Sequence, residues 1–259
     1  MSDRNPFKAR LRAGQTQIGV FTNMGSPFVN EVLACNGMDF LLVDMEHGQI
    51  DISTLAPMLA ATELGGAQAL VRVPVNDRIW IKRTMDMGAR SIMVPQVDTA
   101  DDAREAASFL RYPPHGVRGV AKLNRGGRFG TVPDYLTTAH DEACLIVQME
   151  SEESFNNLAD IIAVDGVDGV FIGPADLAAS MGLTGQVGHA QVDSMIDQAV
   201  SMCKAANMPV ATVVPSADQA AAAFEKGYTF MAIGSDSDYL CRQVQGHVKA
   251  LGAWRARSD

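Results

Sequence analysis

Eight short apolar runs constrain the fold of this chain more than any other feature of its sequence. They are Gln17–Thr22, Asp39–Asp44, Ala69–Val73, Ser91–Val94, Leu145–Met149, Gly169–Ile172, Val210–Val214 and Thr229–Ile233. Most are nearly continuous in Val, Ile, Leu and Phe and lack the polar alternation of a half-exposed strand. Runs of this kind are typical of strands that are covered on both faces, as in a parallel sheet.

Helical patterns fill the gaps between these runs. Between Gln191 and Asn207, for example, apolar residues recur at spacings of three and four, which is typical of a helix with one buried stripe. Strands that alternate with helices over 259 residues predict one (β/α)8 barrel, spanning residues 1–259 as a single domain. An open, doubly wound sheet is the alternative, but no Gly-x-Gly-x-x-Gly segment follows any run.

The composition narrows the class of partner. Lys and Arg number 21 against 30 Asp and Glu, a net charge of −9, while 47% of the residues are hydrophobic. This balance argues against disorder and against nucleic acid or a membrane surface as a partner. No apolar run is long enough to cross a bilayer, and no secretory signal is visible. Four widely spaced cysteines indicate a reducing compartment, so a cytoplasmic location is expected; they are Cys35, Cys144, Cys203 and Cys241.

Two acidic residues follow neighbouring runs. In a (β/α)8 barrel the chemistry takes place at the carboxyl ends of the strands, and Glu150 and Asp176 follow the fifth and sixth runs. Carboxylates at adjacent strand ends can share one hard divalent cation, with water and substrate oxygens completing its shell. For either residue alone, a helix cap is the alternative. Together they predict a metal site.

Further ionisable residues lie at the same predicted rim. Arg72 is a candidate clamp for a carboxylate or an oxyanion, with a structural ion pair as the alternative. His47 follows Asp44 and Glu46, so a neighbouring carboxylate can orient it as a general base; an exposed or capping histidine is the alternative. Asp86 either supports His47 or hydrogen-bonds to a loop.

The remaining candidates concern anion binding and the type of catalysis. The segment Gly173-Pro174-Ala175-Asp176 opens a helix, whose free N–H groups favour an anion such as a substrate carboxylate. Arg118 and Arg125, in a long Pro- and Gly-rich segment, either reach anionic substrate groups or meet solvent or a neighbouring subunit. No lysine follows a strand run, which favours a metal-stabilised enolate over an imine.

Several segments resemble the HpcH/HpaI aldolase family, over about Asn5 to Leu251. They are LVDMEHG at 42–48, VRVP at 71–74, RYPPHGVRG at 111–119, VQME at 147–150 and GVDGVFIGPADL at 166–177. The resemblance implies a barrel that assembles as a hexamer, with C-terminal helices exchanged between subunits. It also implies a class II pyruvate aldolase that uses Mg2+, Mn2+ or Co2+.

The resemblance assigns roles to individual residues. It implies that Glu150 and Asp176 hold the metal, and that His47 is the base, linked to Asp44 and Asp86. It further implies three substrate contacts: Arg72 with pyruvate and its enolate, Gln148 beside the metal, and the backbone around Ala175 with the pyruvate carboxylate. Gly173, Pro174, Asp176 and Arg125 complete the expected substrate-binding set.

The expected reaction is reversible retro-aldol cleavage of a 4-hydroxy-2-oxo acid to pyruvate and an aldehyde. Its substrate is either a 2-keto-3-deoxy sugar acid or a 4-hydroxy-2-oxo diacid. Two segments depart from the family pattern, Glu46-His-Gly-Gln-Ile-Asp51 and Lys122–Gly130, and the second is nearer to the sugar-acid branch. The alternatives are an acyl-CoA lyase of the citramalyl- or malyl-CoA type and a metabolite-binding barrel without catalytic activity.

Overall fold

Parallel strands form a closed barrel in sequence order from β1 to β8, in a computed structural model that describes residues 5–255. The last strand pairs in parallel with the first and closes the ring. The strands are β1 (Gln17–Thr22), β2 (Phe40–Asp44), β3 (Gln68–Arg72), β4 (Ser91–Val94), β5 (Cys144–Met149), β6 (Val167–Ile172), β7 (Val210–Val214) and β8 (Phe230–Ser235). The predicted (β/α)8 barrel is confirmed, and the largest changes in bounds are the earlier start of β6 and the later end of β8.

Helices surround the barrel and connect its strands. They are α1 (Pro6–Arg12), α2 (Pro27–Cys35), α3 (Ile52–Leu64), α4 (Arg78–Asp86), α5 (Ala100–Leu110), α6 (Tyr135–Glu142), α7 (Glu152–Asn156), α8 (Leu158–Ile162), α9 (Pro174–Ser180), α10 (Ala190–Ala205), α11 (Ala217–Lys226), α12 (Asp236–Ala250) and α13 (Gly252–Arg255). A 3-10 turn at Arg128–Gly130 interrupts the long segment between α5 and α6.

Aromatic side chains fill the lower part of the barrel. Phe40 and Phe230 are fully buried inside it, and the ring of Phe7 on α1 lies 5.2 Å and 5.5 Å from theirs, edge to face. Higher up, Phe21 and Phe171 pack at 5.9 Å. These rings and α1 therefore close the amino-terminal end of the barrel.

A side-chain oxygen caps the start of several helices at this rim. Asp51, for example, accepts hydrogen bonds from the backbone N–H groups of Ser53 and Thr54, each at 2.9 Å, at the start of α3. Such caps satisfy N–H groups that have no partner within the helix. They therefore fix where each loop that lines the rim passes into its helix.

The chain after β8 is helical, as predicted. On α12 and just beyond it, exposed apolar side chains recur with helical spacing; they are Leu240, Val244, Val248 and Leu251. All four cysteines are unpaired, and their cellular compartment stays a prediction. Within residues 5–255, no helix combines the length and apolar character needed to span a bilayer.

Candidate active site

A cleft of about 450 Å³ opens at the carboxyl ends of the strands. Many of the predicted site residues line it together; they are His47, Arg72, Gln148, Gly173, Pro174, Ala175 and Asp176. Its other walls come from β1, β7 and β8 and the start of α12. The structure thus brings residues from widely separated parts of the sequence to one mouth of the barrel.

Arg72 and Asp44 form a buried pair at the base of this cleft. They are register partners on the neighbouring strands β3 and β2. The guanidinium donates from Nε to Oδ1 of Asp44 at 2.8 Å and from Nη2 to Oδ2 at 2.7 Å. Its Nη1 lies 3.0 Å from Oε2 of Glu46. Burial alone lowers the pKa of Arg72, but the hydrogen bonds and charge of Asp44 outweigh it, so the pKa is raised and the side chain stays cationic.

Glu46 was predicted only as a neighbour of His47, and its contact with Arg72 was missed. Burial raises the pKa of the Glu46 carboxyl, and the positive charge of Arg72 opposes this shift. In the sequence, this contact was indicated only by two acidic residues, Asp44 and Glu46, spaced two positions apart at the end of a strand run. This spacing did not reveal that both would face the same arginine across the sheet.

Glu150 is held by two hydrogen bonds. Gln148 and Glu150 are two residues apart at the end of β5. Their side chains therefore lie on the same face and point into the barrel. The Gln148 amide donates to Oε2, and the backbone N–H of Gln96 donates to Oε1 at 2.8 Å. Burial raises the pKa of Glu150, the Gln96 hydrogen bond lowers it, and the nearby carboxylates of Glu46 and Asp176 raise it again.

Gly173 allows the end of β6 to approach this carboxylate closely. A Cβ at this position would lie 2.9 Å from Oε2 of Glu150 and 3.2 Å from the Gln148 amide nitrogen. Any larger residue would displace those side chains. Pro174 then begins α9, which places Asp176 in its first turn on the wall of the cleft.

The donor set of Glu150 and Asp176 fits a hard divalent cation. Both side chains offer carboxylate oxygens, one just after β5 and the other just after β6, and the charge of Asp176 raises the pKa of Glu150. A dication between them would remove that repulsion. Among residues 5–255 no group of three or more His, Cys, Asp or Glu is placed to hold a metal. A cation here would therefore bind two protein carboxylates and complete its shell with water and substrate.

His47 lies at the mouth, but its ring is not attached to Asp44. The side chain is 64% exposed, and Nε2 lies 3.8 Å from Oε2 of Glu46. Asp44 instead accepts from the backbone N–H groups of Glu46 and His47, at 3.1 and 3.3 Å. Asp44 thus orients the loop that carries the histidine and leaves the imidazole free to turn toward a substrate.

Asp86 and Arg125 lie away from the cleft within one chain. Asp86 is the last residue of α4, a nine-residue helix that starts at the rim and runs down the barrel for about 13 Å. Its carboxylate accepts from Arg118 at 2.7 Å and Asn124 at 3.0 Å, so it binds a loop, the second of the two expected roles. Arg125 pairs with Glu63 at 3.2 Å. Neither residue reaches His47 in its own subunit, because a helix follows each barrel strand in the opposite direction.

Asp236 has a role that the sequence did not indicate. It is almost fully buried, and it accepts from the backbone N–H groups of Asn23 at 3.0 Å and Met24 at 3.1 Å. These bonds join the start of α12 to the loop after β1. They therefore fix the part of the rim where the ring of strands closes.

Comparison with known proteins identifies relatives of this barrel. The family described as HpcH/HpaI aldolase/citrate lyase matches residues 17–242. A protein of Rhizobium etli named pyruvate aldolase is 42% identical over 238 residues, 92% of this chain and 94% of that protein. A 4-hydroxy-2-oxo-heptane-1,7-dioate aldolase of Shigella sonnei is 40% identical over 250 residues, 96% of this chain and 95% of that protein.

A solved structure agrees with these sequence relatives. The crystal structure of an HpcH/HpaI aldolase/citrate lyase family protein from Burkholderia cenocepacia J2315 superposes with a TM-score of 0.92. It is 35% identical and covers 95% of this chain and 99% of its own. By its sequence and its barrel, this chain belongs to the HpcH/HpaI aldolase/citrate lyase family.

Proposed function

We propose that this protein is a metal-dependent aldolase that cleaves a 4-hydroxy-2-oxo acid reversibly to pyruvate and an aldehyde. Relatives named as aldolases over nearly the whole chain confirm the predicted class, a carbon–carbon lyase that releases pyruvate. The observation that carries the assignment to this site is that Arg72 and Asp176 line one cleft, and that the carboxylate of Glu150 lies directly against two other lining residues, Gly173 and Gln148. That arrangement provides for binding a 2-oxo acid and for stabilising negative charge on it.

The keto-acid half of the substrate lies between β3, β5 and β6. A divalent cation held by Glu150 and Asp176, in this proposal Mg2+, Mn2+ or Co2+, supplies Lewis acidity toward the 2-oxo group. Gln148 orients Glu150 through its amide. Gly173, Pro174 and Ala175 form the wall against which the pyruvate carboxylate rests.

Arg72 stabilises the charge that develops during cleavage. Because Asp44 holds Nε and Nη2, the guanidinium is fixed in one orientation before substrate arrives. Its Nη1 lies 3.0 Å from Oε2 of Glu46 and 3.5 Å from the amide oxygen of Gln148, which places it beside the proposed site of the 2-oxo oxygen. A preorganised donor of this kind contributes about 3 kcal/mol to transition-state stabilisation.

His47 serves as the base. Its exposed ring at the mouth removes the proton of the C4 hydroxyl, directly or through a water. The electrons of the C4 O–H bond then form the aldehyde carbonyl, and the C3–C4 bond breaks. Its electrons form the C2=C3 double bond, and the π electrons of the C2 carbonyl move to its oxygen, which gives the enolate of pyruvate. A proton delivered to C3 completes pyruvate, so the proton taken from the hydroxyl is matched by one returned to carbon.

One experiment tests the proposal. Protein stripped of metal is assayed for pyruvate release from 2-keto-3-deoxy sugar acids and 4-hydroxy-2-oxo diacids, with and without Mn2+, Co2+ or Mg2+. We expect release only with metal, and we expect metal-dependent exchange of the C3 protons of pyruvate by NMR. Full turnover in EDTA, or trapping of a pyruvate adduct by borohydride, would contradict the proposal.

Binding of Mn2+ gives a readout that does not depend on turnover. Glu150→Gln keeps the size of the side chain and one of its two acceptor oxygens but removes a charged ligand. We expect the electron paramagnetic resonance titration of bound Mn2+ to shift to at least tenfold weaker affinity. The matched control is Glu152→Gln, an exposed acidic residue two positions later on α7.

The acyl-CoA alternative depended on a basic groove in the segment 113–128. In the structure its buried arginine, Arg118, pairs with Asp86 at 2.7 Å, and Arg125 pairs with Glu63. Both guanidinium groups point away from the cleft, and each is paired with a carboxylate that neutralises its charge. This placement favours a small aldehyde over a CoA ester as the second half of the substrate.

We also propose that the protein is a homo-oligomer, a hexamer with exchanged C-terminal helices, as the family resemblance implied. Two exposed apolar sets support an interface; they are Leu240, Val244, Val248 and Leu251 near the C-terminus, and Val117, Val120, Leu123 and Phe129 before α6. Large exposed apolar patches mark interaction sites. Light scattering after size exclusion is expected to give six times the chain mass, and a monomer would contradict this.

A further inference from the structure

Half of the cleft has no role in the proposed chemistry so far. The residues assigned to the metal, the keto acid and the base come from β2, β3, β5 and β6. The other half belongs to β7, β8 and β1, which are consecutive around the ring. Its polar lining residues are Asn23, Ser235, Asp238 and Arg242. Because the cleft of about 450 Å³ is far larger than a three-carbon acid requires, this half is the space for the aldehyde.

The single basic side chain named in this half is already paired. Arg242 donates from Nε to Oδ1 of Asp238 at 2.8 Å and from Nη1 to the carbonyl oxygen of Pro215 at 2.9 Å. Its charge is therefore neutralised within α12. A carboxylate on the aldehyde would have to compete with Asp238 for Arg242, so the pair disfavours an anionic tail.

Two acceptors beside the cleft lack a donor. Among residues 5–255, neither Oδ2 of Asp238 nor Oδ1 of Asn23 receives a hydrogen bond. Leaving such atoms unpaired away from water is costly, so buried acceptors usually have a partner. Both side chains are only partly buried, and rotation about χ2 is soft for Asp and Asn. A modest rotation therefore turns each free oxygen toward a ligand in the cleft.

The backbone around these acceptors is fixed in place. Asp236 binds the N–H groups of Asn23 and Met24 and so sets the distance between the β1 loop and α12. Gly234 leaves room beside Asp238, since a Cβ at that position would lie 3.0 Å from Oδ2. The backbone that carries the two acceptors is thus fixed in place, and a hydroxyl group of a ligand would supply the donor that each one lacks.

We propose that Asp238 and Asn23 accept hydrogen bonds from hydroxyl groups on the aldehyde half of the substrate. This inference rests on the proposed aldolase function and selects among its substrates. The preferred aldehydes are neutral and hydroxylated, so the cleaved acids are 2-keto-3-deoxy sugar acids and not diacids. The enzyme then differs from the relative named for heptane-1,7-dioate, whose substrate ends in a second carboxylate.

The test compares three aldehydes in the Mn2+-loaded full-length protein. Aldol addition of pyruvate is followed with glyceraldehyde, with propanal, which lacks the hydroxyls, and with succinic semialdehyde, which carries a carboxylate. In the wild type we expect kcat/KM for glyceraldehyde to exceed that for each of the others by about tenfold or more. Succinic semialdehyde as the best of the three would overturn the proposal.

Two variants assign the selectivity to these residues. Asp238→Ala and Asn23→Ala are each expected to lower the glyceraldehyde-to-propanal ratio of kcat/KM by about tenfold. Asp238→Ala also frees Arg242, so its relative activity with succinic semialdehyde is expected to rise, which general structural damage would not produce. Glu225→Ala, at an exposed position on α11, is the control and is expected to keep the wild-type ratios.

The outcomes separate this inference from the proposed function. Exchange of the C3 protons of pyruvate by the wild type needs no aldehyde. If exchange occurs and both variants keep the wild-type ratios, the acceptor role of Asp238 and Asn23 is wrong while the aldolase assignment stands. If the wild type with Mn2+ shows no exchange, the aldolase assignment itself is wrong, and the inference falls with it.

Discussion

Arg72 on β3 donates two hydrogen bonds to Asp44 on the neighbouring strand β2, at 2.8 and 2.7 Å, inside the barrel mouth. Both side chains are almost completely buried, with 8% and 0% exposure. The pair links the fold to the site, because it fixes the guanidinium that faces the proposed keto-acid site. In this arrangement Asp44 contacts the backbone N–H of His47 and not its imidazole ring.

Removing Asp44 is expected to damage both stability and activity. Asp44→Ala leaves a buried arginine with only Glu46 as a charged partner. The free energy of unfolding should fall by about 3 kcal/mol, and kcat should fall by about 10²–10³ because the guanidinium loses its orientation. Urea denaturation and steady-state kinetics measure the two effects.

An exposed ion pair provides the control for this substitution. Asp197 lies 3.1 Å from Lys226, and both side chains are more than half exposed. Asp197→Ala should change the free energy of unfolding by less than about 1 kcal/mol. Equal losses from the buried and the exposed pair would contradict the importance assigned to Asp44.

His47→Ala should affect cleavage more than enolisation. The histidine is assigned to the C4 hydroxyl, a group that is absent when pyruvate alone exchanges its C3 protons. We expect kcat for cleavage to fall by about 10²–10⁴ and the rate of proton exchange to fall much less. A coupled assay measures the rate of cleavage, and NMR measures the rate of proton exchange. Equal losses of both rates would contradict the role of His47 as the base for the C4 hydroxyl.

Asp86→Ala tests a structural role against a catalytic one. The Arg118 side chain is fully buried, donates to Asp86 at 2.7 Å and stacks 4.5 Å from the ring centre of Tyr112. Without its carboxylate partner the protein should lose about 3 kcal/mol of stability. Asp86→Asn, which keeps an acceptor oxygen, should lose less.

The pattern of the two Asp86 variants is informative. If Asp86 acts only on the His47 of another subunit, both variants should lose activity but not stability. They should then unfold at the same urea concentration as the wild type. A large loss of stability in Asp86→Ala, measured by urea denaturation, supports the loop contact seen in the structure.

Asp51→Ala should weaken the protein in a pH-dependent way. Hydrogen bonds from Ser53 and Thr54 lower the pKa of the Asp51 carboxyl to about 2. A lowered pKa in the folded state means that the ionised cap stabilises the fold fully above its unfolded pKa of about 3.9 and loses this effect as pH falls toward the folded value.

The measurement is the difference in Tm between wild type and Asp51→Ala. We expect a constant difference from pH 7 to pH 5 that narrows as the pH approaches 3. Glu63→Ala, on the last turn of the same helix, is the comparison. A difference that grows on acidification would contradict the assigned cap.

The barrel and most of the rim followed from local sequence. Continuous apolar runs specify strands that are buried on both faces, and in a closed parallel barrel every strand ends at the same mouth. That rule alone predicts that Arg72, Glu150 and Asp176 lie at one rim, and in the structure Arg72 and Asp176 line one cleft while Glu150 lies against its wall at Gly173 and Gln148. The family resemblance added roles to these residues but was not needed to bring them together.

Pairing across the barrel was decided by the tertiary structure alone. Whether Asp44 would hold Arg72 or His47, and whether Asp86 would lie at the mouth or at the far end, depends on strand register and helix direction. Asp236, at the start of α12, accepts a hydrogen bond from Asn23 in the loop after β1. This contact joins residues more than two hundred positions apart. Local patterns carry no information on such contacts, because a side chain's partner is set by the neighbouring element that folding places beside it.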